Sequence, residues 1–567
     1  MDNKNPLINI VLFIVLSSLV LLGWNYMFPP PPPPPPPAAP AAPVARPAPA
    51  SGAAAPGAEP AIGAGSSAKA QTGAEKAKAG RPIRATTDVF DLVIDEKSTD
   101  IREATLTRFN SSDDEKKNYK LFWSSPERSF FAGTGLLNES NIDVFSDAGF
   151  KVVGDGARRD MRGDNLSVSF VGESDHLRIT KTYAFERDSY LIGVTAKIEN
   201  LGAQTRRLYP IYQLLRDSQD PPGASRLAYT YTGPVVYTPD SKFVKVPFAD
   251  LDKNDADYPK STQTGWLGYI QHYFLSTWIL QEKGKTSVCG QGLCQIDVKR
   301  RASDGLYSVG LIAPMQTIAP GQSAEVSIKL YAGPQSYNRV VKIADNLQLV
   351  QDFGKVRLFA APLFWLMQQF YNLVGNWGWA IVLLVVLVKL CLFPLSLSAY
   401  KSMAHMRMVA PKLKEIQRRF KDDKQQLNIE MMQLYQKEKI NPLSGCLPML
   451  IQMPVFIGLY WVLLTAVELR QAPWLGWITD LARTDPYFIL PLFMTATMYL
   501  QTLLNPATGD PVQQKMMRIM PLIFSAMFFF FPAGLVLYYC VNNVLSIIQQ
   551  WYITKKVERQ YGKPAQV

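Results

Sequence analysis

The chain is poor in the residue patterns that hold metals or carry out acid–base chemistry. Its three histidines, His176, His272 and His405, lie far apart, and its five cysteines form no CxxC pair. No spacing therefore suits a metal-ligand set. No GxxxxGK[ST] loop is present, so nucleotide hydrolysis is excluded as a driving force and no cofactor is implied. Sugar chemistry would need paired acids and a histidine in one cleft, which isolated residues such as His176 and His272 do not supply. Charged residues make up only 19% of the chain, and the basic excess behind its net charge of +12 lies beside apolar runs. That placement is a topology signal, not the basic stripe of a protein with direct nucleic-acid specificity.

What the chain does contain is long apolar runs. Trp379 to Leu397, WAIVLLVVLVKLCLFPLSL, is 19 residues long and carries a full charge at Lys389. As one straight helix it places the ammonium roughly 15 Å from Trp379 and roughly 12 Å from Leu397. Burying a charge there costs about 2.5–3.5 kcal/mol on insertion scales. The lysine either faces a polar cavity or snorkels along its stem to the nearer surface.

From the start, Leu7 to Phe28 reads as an uncleaved anchor with a cytoplasmic N-terminus, so residues 1–28 form a first span. Pro29 to Pro37 are all proline, and residues 29–84 form a Pro/Ala-rich linker, part polyproline II and part flexible. Residues 85–345 carry period-two alternation in runs such as LRITKTYAF and YLIGVTAKI, separated by Gly, Asn and Asp turns. One large antiparallel β-sandwich outside the cytoplasm is expected. Within it, Cys289 and Cys294 either form a disulfide, in an oxidising compartment, or remain two thiols in a hairpin.

Residues 358–376 read as an amphipathic helix in the outer interface. Residues 377–553 then hold five spans and, over 398–445, a helical hairpin turned at Lys421 to Lys424. Ten Lys/Arg against five Asp/Glu place that hairpin in the cytoplasm. Its methionines, Met403, Met406, Met431 and Met432 among them, either accept varied apolar partners or only pack the hairpin. Pro448 and Pro454 are expected to interrupt the third span, and Gln452 places an amide inside the membrane. The last apolar block breaks at Phe531-Pro532. This leaves a short fifth span, Met517 to Phe531, and keeps the basic tail, 554–567, in the cytoplasm with the N-terminus. In the sixth span Tyr539, Asn542, Asn543 and Ser546 recur at helical spacing. With Lys389 and Gln452 they line a wet, positive pocket, or each is a hydrogen bond that only holds the bundle. The expected architecture is a six-span α-helical bundle with a large extracytoplasmic β-sandwich and a cytoplasmic helical hairpin.

The runs GNWGWAIVLLVVLVK, YKSMAHMRMVAPKLKEIQ, KINPLSGCLPMLIQMPVFIGLY, VELRQAPW and FPAGLVLYYCVNN closely resemble the YidC/Oxa-type membrane-protein insertases in their long Gram-negative form. The resemblance is dense from Leu358 to Ile553 and looser in the β-region. It implies a periplasmic β-supersandwich similar to sugar-mutarotase folds, a multi-pass inner-membrane location, and no enzymatic reaction. It implies as partners nascent inner-membrane proteins, the Sec translocon, the ribosome at the cytoplasmic face and the lipid bilayer. It also implies a hydrophilic groove containing Lys389, Gln452, Tyr539, Asn543 and Ser546. A hydrophobic slide for substrate maps onto Met453, Pro454, Phe456, Met527 and Phe528. Many members carry arginine where this chain has Lys389, and lysine lacks the bidentate fork. Two rivals remain open: a solute transporter, which should show inverted repeats, and an envelope enzyme acting on sugars through the β-domain.

Overall fold

The computed structural model describes residues 80–561 apart from 112–113, 115, 126, 222–229, 352, 421–422, 439–446, 505–518, 520–521 and 524. The expected anchor 1–28, most of the linker 29–84, the end of the hairpin, the start of the short fifth span and the last tail residues lie outside these.

Two sheets form the N-terminal half, one of 11 strands and one of 9. Alternation in the sequence becomes alternation in burial: along Leu177–Glu186 the odd-numbered residues face inward and the others are half-buried or exposed. The strand pairs in register with Asn165–Ser174 on one side and Leu191–Asn200 on the other. In the larger sheet Arg206–Arg216 lies between Ser129–Asn138 and Tyr307–Ile312. Pairing is antiparallel except where Pro82–Thr86 runs beside Arg158–Asp160. The core between the sheets is aromatic, with Trp266, Trp278, Tyr183, Tyr269 and Phe274 almost wholly enclosed. Gly268 is required in this layer because a Cβ there would lie 2.0 Å from the Ser276 carbonyl oxygen.

The β-region begins earlier than the sequence suggests. Pro82, expected in the linker, opens the first strand, where its missing N–H breaks no ladder bond. At the other end Leu347 and Val350 still pack into the sandwich core.

Seven longer helices follow among the described residues: α1 Arg357–Val374, α2 Trp377–Cys391, α3 Phe393–Arg419, α4 Lys424–Lys437, α5 Leu447–Thr465, α6 Ile489–Leu504 and α7 Ala533–Tyr561. α1 buries Ala360, Phe364, Met367 and Gln368 on one face and exposes Leu358, Phe359, Trp365 and Leu373 on the other. Gly375 ends it in the left-handed region, φ +68°. Asn376 caps α2, its side chain accepting the Trp379 N–H.

The straight helix expected over Trp379 to Leu397 is not formed. α2 stops at Cys391 and α3 leaves at 68°. The cause is local: Pro394 lies in the first turn of α3, where its missing N–H is harmless, whereas a continuous helix would lose that hydrogen bond and clash. Lys389 therefore occupies the last turn of α2, where helix carbonyls favour a cation. Pro454, by contrast, sits inside an unbroken α5. Phe531 is extended before Pro532, and α7 starts at Ala533. Among the described residues no single helix is long and apolar enough to cross a membrane; α2 and α3 together meet that test as a bent pair.

Candidate functional site

α7 organises the polar groups. From the last turn of α2, Lys389 Nζ donates to Ser546 Oγ at 2.8 Å. Ser546 Oγ donates in turn to the Asn542 carbonyl at 2.7 Å. Tyr400 of α3 reaches the same hydroxyl because the α2–α3 bend brings it back toward α7. Lys389 is only 9% exposed, and among the described residues no carboxylate pairs with it. Two turns away Gln452 Nε2 of α5 donates to Tyr538 OH at 2.9 Å. Positions 538, 542 and 546 recur every four residues, so they share one side of α7 over about 12 Å. Between the two bonded ends, Asn542 Oδ1 is buried without a partner among the described residues. The row thus offers a cation and hydroxyls, which suit a carboxylate, and an amide oxygen, which takes a donor such as a backbone N–H of a polar segment.

The contacts divide the expected residues between different faces of α7. Tyr539 does not join Gln452; Tyr538 does. A helix turns about 100° per residue, which carries Tyr539 into a ring cluster with Phe456 at 5.1 Å and Phe528 at 4.6 Å. Asn543 faces α6, its amide donating to Thr497 Oγ1 at 3.3 Å. Phe528 is buried inside that ring cluster, while Met527 beside it is exposed. Met453 and Pro454 are half-buried on α5. Of the four methionines expected on the hairpin, Met406 packs with Val409 against Leu434 and Tyr435. Met403 packs against Tyr400, Ala404, Ile553 and Val557. Met431 is half-buried and Met432 exposed. Cys289 and Cys294 are joined in a disulfide, Cα–Cα 5.4 Å.

A second constellation is not legible as a site in the sequence: the loop between α5 and α6 is fastened to the β-domain. Arg470 lies over Tyr119, Tyr273 and Phe274, 5.4–5.5 Å from each ring centre, and donates to the Asn110 carbonyl. Arg483 donates to the Ser111 carbonyl at 2.6 Å. In the other direction, Glu468 accepts the Tyr337 N–H at 3.0 Å. His272, in the turn between two buried strands, contacts the Leu464 carbonyl at 3.0 Å through Nε2. Burial pushes the Glu468 carboxyl above its ordinary range and the Arg470 guanidinium below its own. Burial also pulls the His272 imidazole down to about 4, so it stays neutral at physiological pH. Only two basic residues, Arg470 and Arg483, stand in the loop from Glu468 to Pro486, and both donate to carbonyls of the sandwich.

A β-sandwich fastened to a set of apolar helices defines a class, a protein of two unlike domains joined through the α5–α6 loop. The family described as "60Kd inner membrane protein" matches residues 369–560, and the "YidC periplasmic domain" matches residues 82–366. A "Membrane protein insertase YidC" of Neisseria meningitidis is 48% identical over 97% of this chain and 97% of its own length. A protein of the same name from Neisseria gonorrhoeae is 52% identical over 84% of this chain and 89% of its own. A solved structure, "Active YidC insertase crystal structure with the first transmembrane domain resolved", aligns at 18% identity with a TM-score of 0.42, covering 84% of this chain and 93% of that one. The chain belongs to the YidC family of membrane-protein insertases, and its sandwich is that family's periplasmic domain.

Proposed function

We propose that this protein inserts nascent transmembrane segments into the inner membrane and helps them fold, alone or with the Sec translocon. The observation that carries the reading is Lys389, enclosed, hydrogen-bonded to Ser546 and without a carboxylate partner among the described residues. A cation held in that state is ready for an incoming acid. Six spans cross the membrane: the anchor 1–28, α2, α5, α6, the short segment ending at Phe531, and α7. Both termini lie in the cytoplasm, α1 lies in the outer interface, and the basic α3–α4 hairpin receives substrate as the ribosome delivers it.

The polar outer segment of the substrate enters the row formed by Lys389, Ser546, Asn542, Gln452 and Tyr538. Its apolar segment slides along Met453, Pro454, Phe456, Met527 and the ring cluster that includes Phe528 and Tyr539. At 15 residues α2 is about 22 Å long, against a hydrocarbon core of roughly 30 Å, so the slab around it thins. The polar row and the thinned slab both lower the crossing barrier, and apolar partitioning completes insertion. The test is rescue: in cells depleted of their own insertase, this chain restores insertion of a small single-span protein. A chain that reaches the membrane at normal level yet restores none would refute the reading.

A further inference from the structure

The tip of the α5–α6 loop, residues 473–477, is folded, uncharged and exposed. Its turn is closed by the Trp474 N–H on the Ile478 carbonyl at 3.0 Å and the Ile478 N–H on the Leu475 carbonyl at 3.2 Å. Gly476 makes the turn at φ +59°, where any other side chain would be strained. Leu475 is 57% exposed and Trp477 36%, and no Asp, Glu, Lys or Arg stands between Arg470 and Asp480. Trp477 Nε1 donates inward to Asp485 Oδ1 at 3.0 Å. Asp485 is 1% exposed and also accepts the Tyr487 and Leu490 N–H groups where α6 begins. The indole has only that one polar group. Its exposed part, like Leu475 and Pro473, therefore offers carbon alone.

A rigid apolar turn left exposed marks a surface that something covers, and its neighbours say what. The loop meets the N-terminal ends of three helices. Asn376 Nδ2, at the start of α2, donates to the Pro473 carbonyl at 3.0 Å, and Trp379 packs edge-on against Trp474 at 5.9 Å. Asp485 ties the loop to α6, and the Ala533 and Gly534 N–H groups at the start of α7 donate to the Arg483 and Leu481 carbonyls at 2.6 and 2.9 Å. The tip is thus level with the helix ends and continuous with their exposed apolar side chains, Trp379 on α2 and Leu492 and Phe493 on α6. A protein partner is commonly held by aromatic groups together with arginine and hydrogen bonds. Tryptophan with leucine and no charge is the composition of a lipid interface.

We propose that residues 473–477 dip into the outer leaflet of the bilayer, with Leu475 and Trp477 among the upper acyl chains. The inference rests on α2 and α6 crossing the membrane. Apolar interfacial segments sink about 5–10 Å into the boundary between headgroups and chains. Arg470 and Arg483 hold the same loop to the Asn110 and Ser111 carbonyls, so the immersed tip also seats the sandwich against the membrane surface. The experiment uses the full chain in vesicles of phosphatidylcholine and phosphatidylglycerol. Cys391, Cys446 and Cys540 are replaced by alanine, the disulfide leaves Cys289 and Cys294 unreactive, and one introduced cysteine carries the fluorophore NBD. The label stands at Leu475→Cys or, as a reference, at Leu500→Cys on the exposed side of α6, about 16 Å along the helix from Ile489. Quenchers are a doxyl group high or low on the lipid chain and iodide in the water. The Leu475 label should lose about half its emission to the high doxyl, less to the low one, and little to iodide, while the Leu500 label answers most to the low doxyl. Quenching of the Leu475 label by iodide alone puts the tip in water and overturns the proposal. Shielding from both lipid and water puts protein over the tip, from a second copy or a partner, and overturns it as well. A Leu500 label quenched by lipid beside a Leu475 label that is not refutes the immersion alone; a Leu500 label that also escapes the lipid quenchers refutes the spanning helices with it.

Discussion

Replacing Lys389 by methionine should slow insertion of one kind of substrate and spare another. The methionine keeps the length and apolar stem and removes the charge. In the structure the ammonium makes one side-chain hydrogen bond, to Ser546, and meets no carboxylate among the described residues. An acidic residue in the outer segment of a substrate would supply the missing partner. Charged hydrogen bonds contribute about 1.5–3 kcal/mol, which at 1.4 kcal/mol per tenfold is roughly a 10- to 150-fold difference in rate. The assay compares two single-span substrates that differ only by one glutamate or glutamine in the outer tail. In depleted cells, tail crossing is read by protease accessibility at equal insertase level. Lys389→Met should slow the glutamate substrate by that factor and leave the glutamine one within about twofold. The same variant should melt no lower than the parent, since it removes a buried charge that has no ionic partner. Equal slowing of both substrates would show that Lys389 acts through helix packing. No slowing of either would show that it is a bystander.

Arg470→Ala should undock the α5–α6 loop. It removes contacts to three rings and a charged bond to Asn110, together about 3 kcal/mol, and hydrogen exchange in residues 466–483 should quicken by roughly 100-fold. Arg470→Lys should restore little of this, because the planar guanidinium makes the ring contacts. His272 gives a pH dependence: its folded value of about 4 lies below the ordinary 6.5, so the unfolded chain binds more protons between those limits. Stability of the β-domain should be complete above about pH 6.5 and fall by up to about 3 kcal/mol as the pH drops through 4. His272→Gln, which retains a donor for Leu464, should flatten that limb of the melting-temperature profile. Gly378→Ala should destabilise the packing of α2 on the loop, because its Cβ would lie 2.1 Å from Trp474 Cδ1; a melting temperature unchanged in this variant would contradict the close approach.

Short-range pattern alone told where the strands run, since alternation such as that of Leu177–Glu186 is a local property of the chain. Proline placed the break at Phe531-Pro532 for an equally local reason, the constraint on the preceding residue. Lys389 stands out in the sequence alone, because a charge inside an apolar run is a local property of the chain. Its partners were another matter. That Gln452 reaches Tyr538 and not Tyr539, and that Asn543 turns to Thr497, depends on the rotation of α7 about its axis. Such rotation is set by packing between helices far apart in sequence. The bend at Leu392 had a sequence cause in Pro394, but proline is also tolerated inside α5 at Pro454, and tertiary packing decided between the two. The Arg470 clamp is invisible in the sequence, since an arginine there carries no sign of whether it meets water or three aromatic rings. Composition and period are written in the chain itself; partners come only from bringing distant segments together.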